Sequence, residues 1–146
     1  MKIDLYIAIS SSCPKKSNKR FIYILEAHRH GEPFTVSGSG SGLWTSHQAS
    51  LIGLQEALER IQKPTEIRLH LPDHFTQNIL SWLPEIARRG FRTVRGKEVK
   101  NRELLEEIQK ALEIHTFTTT IESHSYSGWM LTELRKEDVD AEERRM

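Results

Sequence analysis

The order of periodic segments along the chain predicts an α/β domain: three strands in succession, a helix, a strand, further helices and a last strand, giving a mixed sheet with helices packed on it. Three observations carry this. Residues 2–10 set Ile3, Leu5, Ile7 and Ile9 against Lys2, Asp4, Tyr6, Ala8 and Ser10, the period of two that leaves one strand face in a core. Residues 47–62 repeat Leu51, Leu54, Leu58 and Ile61 at helical spacing, one apolar stripe. Ile67, Leu69 and Leu71 then alternate with Arg68 and His70, a fourth strand that stops at Pro72-Asp73.

The remaining elements follow in chain order. After the first strand, SSSCPKKSN supplies turn chemistry, and the apolar run FIYILEAH reads as a central strand. His30-Gly31 suits a hairpin turn into PFTVSGSG, a weaker third strand. The repeat SGSGSG at 37–42 reads as a loop or a glycine-weakened edge strand; the P-loop pattern that would make it a phosphate cradle is missing. Ser46 is the expected N-cap of the first helix and Pro64 closes it. Residues 74–81 predict a short helix, and Pro84 favours the start of a second one, which Gly90 ends. RRGFRTVRGKEVK is a basic loop. Asn101 is placed to cap a helix whose Leu104, Leu105, Ile108, Ala111 and Leu112 face inward. HTFTTTIE, rich in β-branched residues, is the fifth strand, and RKEDVDAEERRM is a charged tail expected to be solvated. One domain over 1–134 and a tail over 135–146 result.

Bulk properties narrow the function classes. A net charge of +1 gives no global pull toward nucleic acid, so any basic site must be local. Cys13 is the only cysteine, which excludes an internal disulfide and fits a reducing, cytoplasmic setting. MKIDLYIAIS is too short and too polar for a signal peptide or a membrane span. His28, His47, His70, His74 and His115 show no ligand spacing such as H-x-x-x-H on one helix, so they carry no expected metal role.

Four local motifs resemble the type 1 ribonuclease H family over about Lys2 to Trp129. SHQASLIGLQEALERI is similar to that family's first helix, and IRLHLPD ends in an aspartate as the family's fourth strand does. RRGFRTVRGKEVKNRELLEEIQKAL resembles its basic protrusion and the helix that follows, and His124 in IESHSYSG resembles its histidine loop. The resemblance implies a ribonuclease H-like, five-stranded mixed sheet. It implies cleavage of the RNA strand of RNA–DNA hybrids by two Mg²⁺ ions, or Mn²⁺, held by four carboxylates.

Carried over residue by residue, that carboxylate set is incomplete. Ser10 stands at the first position and Ser50 at the second. Asp4 is no substitute, because six strand residues at roughly 3.3 Å each put it about 20 Å from Ser10. Glu56 and Glu59 read as an exposed helix face. Asp73 occupies the third position, either as a helix cap or as a metal ligand, weak at best if alone. The fourth falls at Leu134, with Glu133 adjacent. The expected catalytic remnants are therefore Asp73, His124 and Glu133, with no cofactor held unless activity survives.

Arg88, Arg89, Arg92, Arg95, Lys97 and Lys100, with Phe91, form the expected nucleic-acid surface: cations neutralise phosphates, and an aromatic ring stacks or packs on sugar. A solvated basic loop explains the same residues equally well, and Arg88 and Arg89 also suit a helix C-terminus. Three functions follow: a hybrid-binding domain with impaired cleavage, an active nuclease with a rebuilt site, or a protein-interaction module using Trp129, Met130, Leu131 and the tail. A membrane partner is not expected.

Overall fold

The computed structural model describes residues 2–135. Its five strands are β1 (Lys2–Ile9), β2 (Ser17–Arg29), β3 (Glu32–Trp44), β4 (Glu66–His70) and β5 (Thr116–Thr120). The named helices are α1 (Ser46–Glu59), α2 (His74–Arg88) and α3 (Arg102–Leu112). A fourth helix, α4, covers residues 127–135 of the described chain. The strand order is β3-β2-β1-β4-β5, with β2 antiparallel to both neighbours and the β1–β4 and β4–β5 pairs parallel. The mixed sheet and the central first strand are as the sequence predicts. The charged tail beyond Arg135 lies outside the described residues.

Alternation decides both faces of the sheet. Leu5, Ile7, Phe21, Tyr23, Leu25, Ile67 and Leu69 turn to one side and pack with Leu51, Leu54 and Leu58 of α1, Leu80 and Leu83 of α2, and Leu105 and Ile108 of α3. On the other face Tyr6, Ile22 and Ile24 meet Met130 and Leu134 of α4.

The serine-glycine repeat is a strand. β3 pairs with β2 residue by residue from Glu32 to Trp44. Its glycines are required by close approach: a Cβ on Gly38 would stand 2.4 Å from the Tyr23 ring, and one on Gly40 would stand 2.6 Å from the Phe21 ring. Bare backbone lets both rings lie flat beneath the edge strand. The hairpin turn is His30-Gly31, with φ of 54° and 81°, the two positive values that a tight two-residue turn demands.

Several boundaries differ from the sequence expectation. The cap of α1 is Thr45, one residue before Ser46. Its Oγ1 accepts from Gln48 N at 3.1 Å while Gln48 Oε1 accepts from Thr45 N at 2.9 Å, a reciprocal capping box. α2 is one helix with Pro84 inside it, not two short ones. Leu80 and Leu83 hold one buried stripe across the proline, and that packing carries the helix through it. Asn101 precedes α3 but makes no side-chain cap; its φ of 60° bends the chain, a conformation asparagine tolerates. β5 stops short of 115–122 because β4 is only five residues long and His115 is drawn inward. His115 Nδ1 accepts from Thr65 N at 3.0 Å, and Nε2 donates to the Ile61 carbonyl at 3.2 Å.

Candidate nucleic-acid interface

A cleft of about 370 Å³ opens where β1 and β4 end, the usual place for a site beside parallel strands. Ser10, Asp73 and His124 line it, joined by Ser11, Glu122 and Ser127. Ser10 ends the β1–β2 ladder. Its N–H donates to the Arg20 carbonyl at 2.9 Å, and its Oγ accepts from Arg20 N at 3.0 Å.

Asp73 is the N-cap of α2. Its Oδ1 accepts from Thr76 N at 2.8 Å and from the Thr76 hydroxyl at 2.7 Å. The Thr76 proton is thus committed to Asp73, so Thr76 Oγ1 accepts in turn from Ser50 Oγ at 2.6 Å. Ser50 and Thr76 are fully buried. Ser50 therefore lies beneath the cleft, joined to it by a directed chain of hydroxyls that ends on the carboxylate. Thr76 was not singled out from the sequence; the Asp-x-x-Thr spacing at 73–76, a capping pattern, is the signal that could have found it. Glu122, next to the histidine loop, was missed as well.

Glu133 is half-buried on α4 and does not line the cleft. Leu134, where the resemblance puts the fourth carboxylate position, is buried among Tyr6, Ile22 and Ile24. Asp4 shares a sheet face with Tyr6 but lies toward the start of β1, away from the cleft, where its Oδ1 holds His70 Nε2 at 2.8 Å. Among the described residues no three His, Cys, Asp or Glu side chains come together as a metal-holding group.

His124 is held as a neutral ring. Its Nδ1 accepts from Tyr126 N at 3.1 Å, so that nitrogen carries no proton. Burial, and secondarily the neighbouring His70, keep its pKa below the usual histidine value. The ring packs 4.4 Å from the Tyr6 ring, and Tyr6 stacks on His70 at 4.1 Å. Burial, with the Asp4 and Glu26 charges, pushes the Tyr6 hydroxyl up to about 12. Tyr126 donates to Glu26, and that bond raises its pKa.

The basic segment folds as a compact hairpin-like protrusion. Thr93 N donates to the Lys97 carbonyl at 2.7 Å, Gly96 N to the Thr93 carbonyl at 2.9 Å, and Val99 N to the Phe91 carbonyl at 3.1 Å. Arg92 Nη1 closes the tip on the Gly96 carbonyl at 3.0 Å. Residues 92–98 are all exposed, and between 88 and 100 six cations face a single carboxylate, Glu98. The cations divide in two. Arg88 and Arg89 both pair with Glu85, at 2.9 and 3.1 Å, and serve the end of α2. Arg92, Arg95, Lys97 and Lys100 have no ion-pair partner among the described residues, and all four are exposed. Phe91 is partly buried against the main core, where it anchors the protrusion rather than standing out as a stacking platform. Arg102 bridges Glu98 at 2.7 Å and Glu106 at 2.6 Å, fixing the base of the protrusion to α3.

The chain is 36% identical over 77 residues to ribonuclease H of Xanthomonas oryzae pv. oryzae, covering 52% of this chain and 51% of that protein. It is 32% identical over 99 residues to ribonuclease H of Buchnera aphidicola subsp. Baizongia pistaciae, covering 66% and 65%. These matches support membership of the ribonuclease H family. No family model matches the chain. Its matches span about half the length of the first of these ribonuclease H relatives. The fold is shared with LC9-RNase H1, described as a type 1 RNase H with the type 2 active-site motif, at a TM-score of 0.71, 14% identity and coverage of 90% of this chain and 69% of that one. It is shared too with the RNase H domain of PFV at a TM-score of 0.63, 14% identity and coverage of 91% and 90%. A foamy viral protease-reverse transcriptase solved in complex with RNA/DNA hybrid matches at a TM-score of 0.66 and 14% identity, over 90% of this chain and 19% of that one. No helix among the described residues is long and apolar enough to cross a membrane.

Proposed function

We infer that this chain is a ribonuclease H-like domain that binds RNA–DNA hybrid and does not cut it with the efficiency of the family. The observation that carries this reading is the state of Asp73. Its Oδ1 is engaged by the backbone and hydroxyl of Thr76, and the position that would supply a second carboxylate is a buried serine donating into the same chain. Two Mg²⁺ ions a few ångströms apart need several anionic oxygens to offset their mutual repulsion. Asp73 with Glu122 at the rim does not fit that demand, and Ser10 and Ser50 contribute no charge. Hybrid binding rests instead on Arg92, Arg95, Lys97 and Lys100, four exposed cations on a hydrogen-bonded loop that can meet phosphates without first breaking ion pairs. The lone exposed Cys13 fits a reducing, cytoplasmic setting.

The test is a salt titration of binding beside a cleavage assay. Fluorescence anisotropy with an RNA–DNA hybrid should show affinity falling steeply with salt, and hybrid or duplex RNA preferred over duplex DNA. The triple variant Arg92→Ala, Arg95→Ala, Lys97→Ala should flatten the slope by about one unit per lost contact. Cleavage in Mg²⁺ or Mn²⁺ should stay far below that of an intact ribonuclease H. Efficient Mg²⁺-dependent cleavage, lost on Glu122→Gln or Glu133→Gln, would establish the rebuilt nuclease instead. A triple variant that binds like the parent at every salt concentration would leave the protrusion a structural loop.

A further inference from the structure

The open edge of β3 has no part in the hybrid-binding reading. β3 ends the strand order, and among the described residues no strand lies against its outer side. It stays in register with β2 at every position from Glu32 to Trp44 without a bulge. Alternate residues therefore aim N–H and C=O groups outward along nearly the whole strand. Soluble proteins guard such edges with lysine, proline, bulges or short length. The opposite edge, β5, has five residues. β3 has 13, and from Phe34 to Trp44 it contains no charged residue and no proline, in a chain that is 28% charged. Large apolar side chains stand exposed near both ends of this run, Phe34 at 56% and Leu43 at 66%.

We propose that a second copy of this chain occupies this edge, the two β3 strands pairing antiparallel about a two-fold axis at Ser39. An axis normal to the sheet keeps each face on its own side, so residues opposite one another must share a face. Pairing about a residue meets that condition for any strand, so the side chains set opposite one another decide the fit. About Ser39, Ser37 falls opposite Ser41 of the partner subunit, and Phe34 falls opposite Trp44 of the partner subunit, once at each end. Serines facing across an antiparallel pair hydrogen-bond, and aromatic pairs add to the pairing. No like charges meet within the run, and its glycine and serine centre leaves the two backbones free to approach. An extended peptide could use the same backbone groups, but a second copy also supplies serine opposite serine and an aromatic opposite an aromatic at both ends, and it does so in a closed two-fold pair.

Sedimentation across a concentration series tests this. The wild-type mass should climb from 16.9 kDa toward twice that value as concentration rises. Ser39 is exposed, so Ser39→Lys leaves the monomer intact while setting two lysines against each other across the axis. It should weaken dimerisation at least tenfold, and Ser39→Thr should not. In a Cys13→Ser background, Ser39→Cys should oxidise to a covalent dimer, which keeps the idea testable if the lysine variant folds poorly. Hydrogen exchange should show alternate amides between 34 and 44 slowing as the dimer forms. A wild type that stays at 16.9 kDa at every soluble concentration overturns the proposal, as does a dimer untouched by Ser39→Lys or dissolved instead by Trp129→Ala. Protection of β3 amides only on adding an unrelated extended peptide would also overturn it, by naming a different occupant.

Discussion

Replacing Asp73 separates a helix cap from a metal ligand without any metal being present. In the cap role Asp73 accepts two hydrogen bonds at Oδ1, from Thr76 N at 2.8 Å and the Thr76 hydroxyl at 2.7 Å. Asp73→Ala removes the cap, worth about 1 kcal/mol. It also leaves the fully buried Thr76 hydroxyl without its acceptor, a further loss of about 1–2 kcal/mol. The expected destabilisation is about 2–3 kcal/mol, which at an m-value of about 2 kcal/mol/M moves the urea midpoint down by about 1–1.5 M. Asp73→Asn keeps an acceptor oxygen and ranks beside Asp as a cap, so its midpoint should lie within about 0.5 kcal/mol of the parent. Unfolding is followed by circular dichroism at neutral pH in the presence of a chelator. In the ligand role the outcome reverses. An Asp73 kept for cations repels Glu122 across the empty cleft, and Asp73→Ala would hold or raise stability. A midpoint for Asp73→Ala equal to or above the wild type refutes the reasoning.

Three further outcomes follow from the packing and the titrating groups. His124 has a folded-state pKa below the ordinary value, so its unfolded form binds a proton more readily. Its contribution is therefore full above about pH 6.5 and is lost as pH falls through the unfolded value toward the folded one; comparing urea midpoints of wild type and His124→Gln at pH 7.5 and 5 should show the wild type losing more. All three tyrosines, Tyr6, Tyr23 and Tyr126, have raised pKa values, so an alkaline absorbance titration should show no phenol ionising at the ordinary value of about 10 before the fold opens. Gly40→Ala drives a Cβ to 2.6 Å from the Phe21 ring and should cost about 1–3 kcal/mol, whereas Gly128→Ala in α4 meets nothing within 4 Å and should be neutral or stabilising by up to about 1 kcal/mol, both read by thermal melts.

The sheet was legible because its signal is period and order. Ile3, Leu5, Ile7 and Ile9 can bury one face only as a strand, and three strands before the first helix imply the meander that makes the sheet mixed. The misreadings share a cause: local chemistry weighed without its tertiary partner. SGSGSG left a loop and a glycine-weakened edge strand both open, and what decides for the strand is the Tyr23 and Phe21 rings, on the neighbouring strand, which need that bare backbone. Pro84 announces a helix boundary, yet Leu80 and Leu83 hold the helix through it. Met130 looked like part of an exposed apolar surface with Trp129 and Leu131. It is buried against Ile22 and Ile24, because the helical turn sends it to the sheet while its two neighbours face outward.

At the cleft, the sequence names candidate side chains but not what they do there. Ser10 and Leu134 find conventional work, one ending a ladder and the other filling an apolar cluster. Ser50 is different. A serine buried under α2 costs stability unless its hydroxyl is bonded, and its only route to the surface charge runs through Thr76 to Asp73. Two of these three residues lie 26 positions apart, so no local pattern reveals the link. Its consequence is directional. A glutamate at position 50 would meet a Thr76 hydroxyl already donated to Asp73 and would face that carboxylate across it. Restoring one ligand at a time should therefore destabilise the fold before it gains a cation. Ser50 and Asp73 now hold each other through Thr76, and a site rebuilt for metal has to replace that chain as a unit.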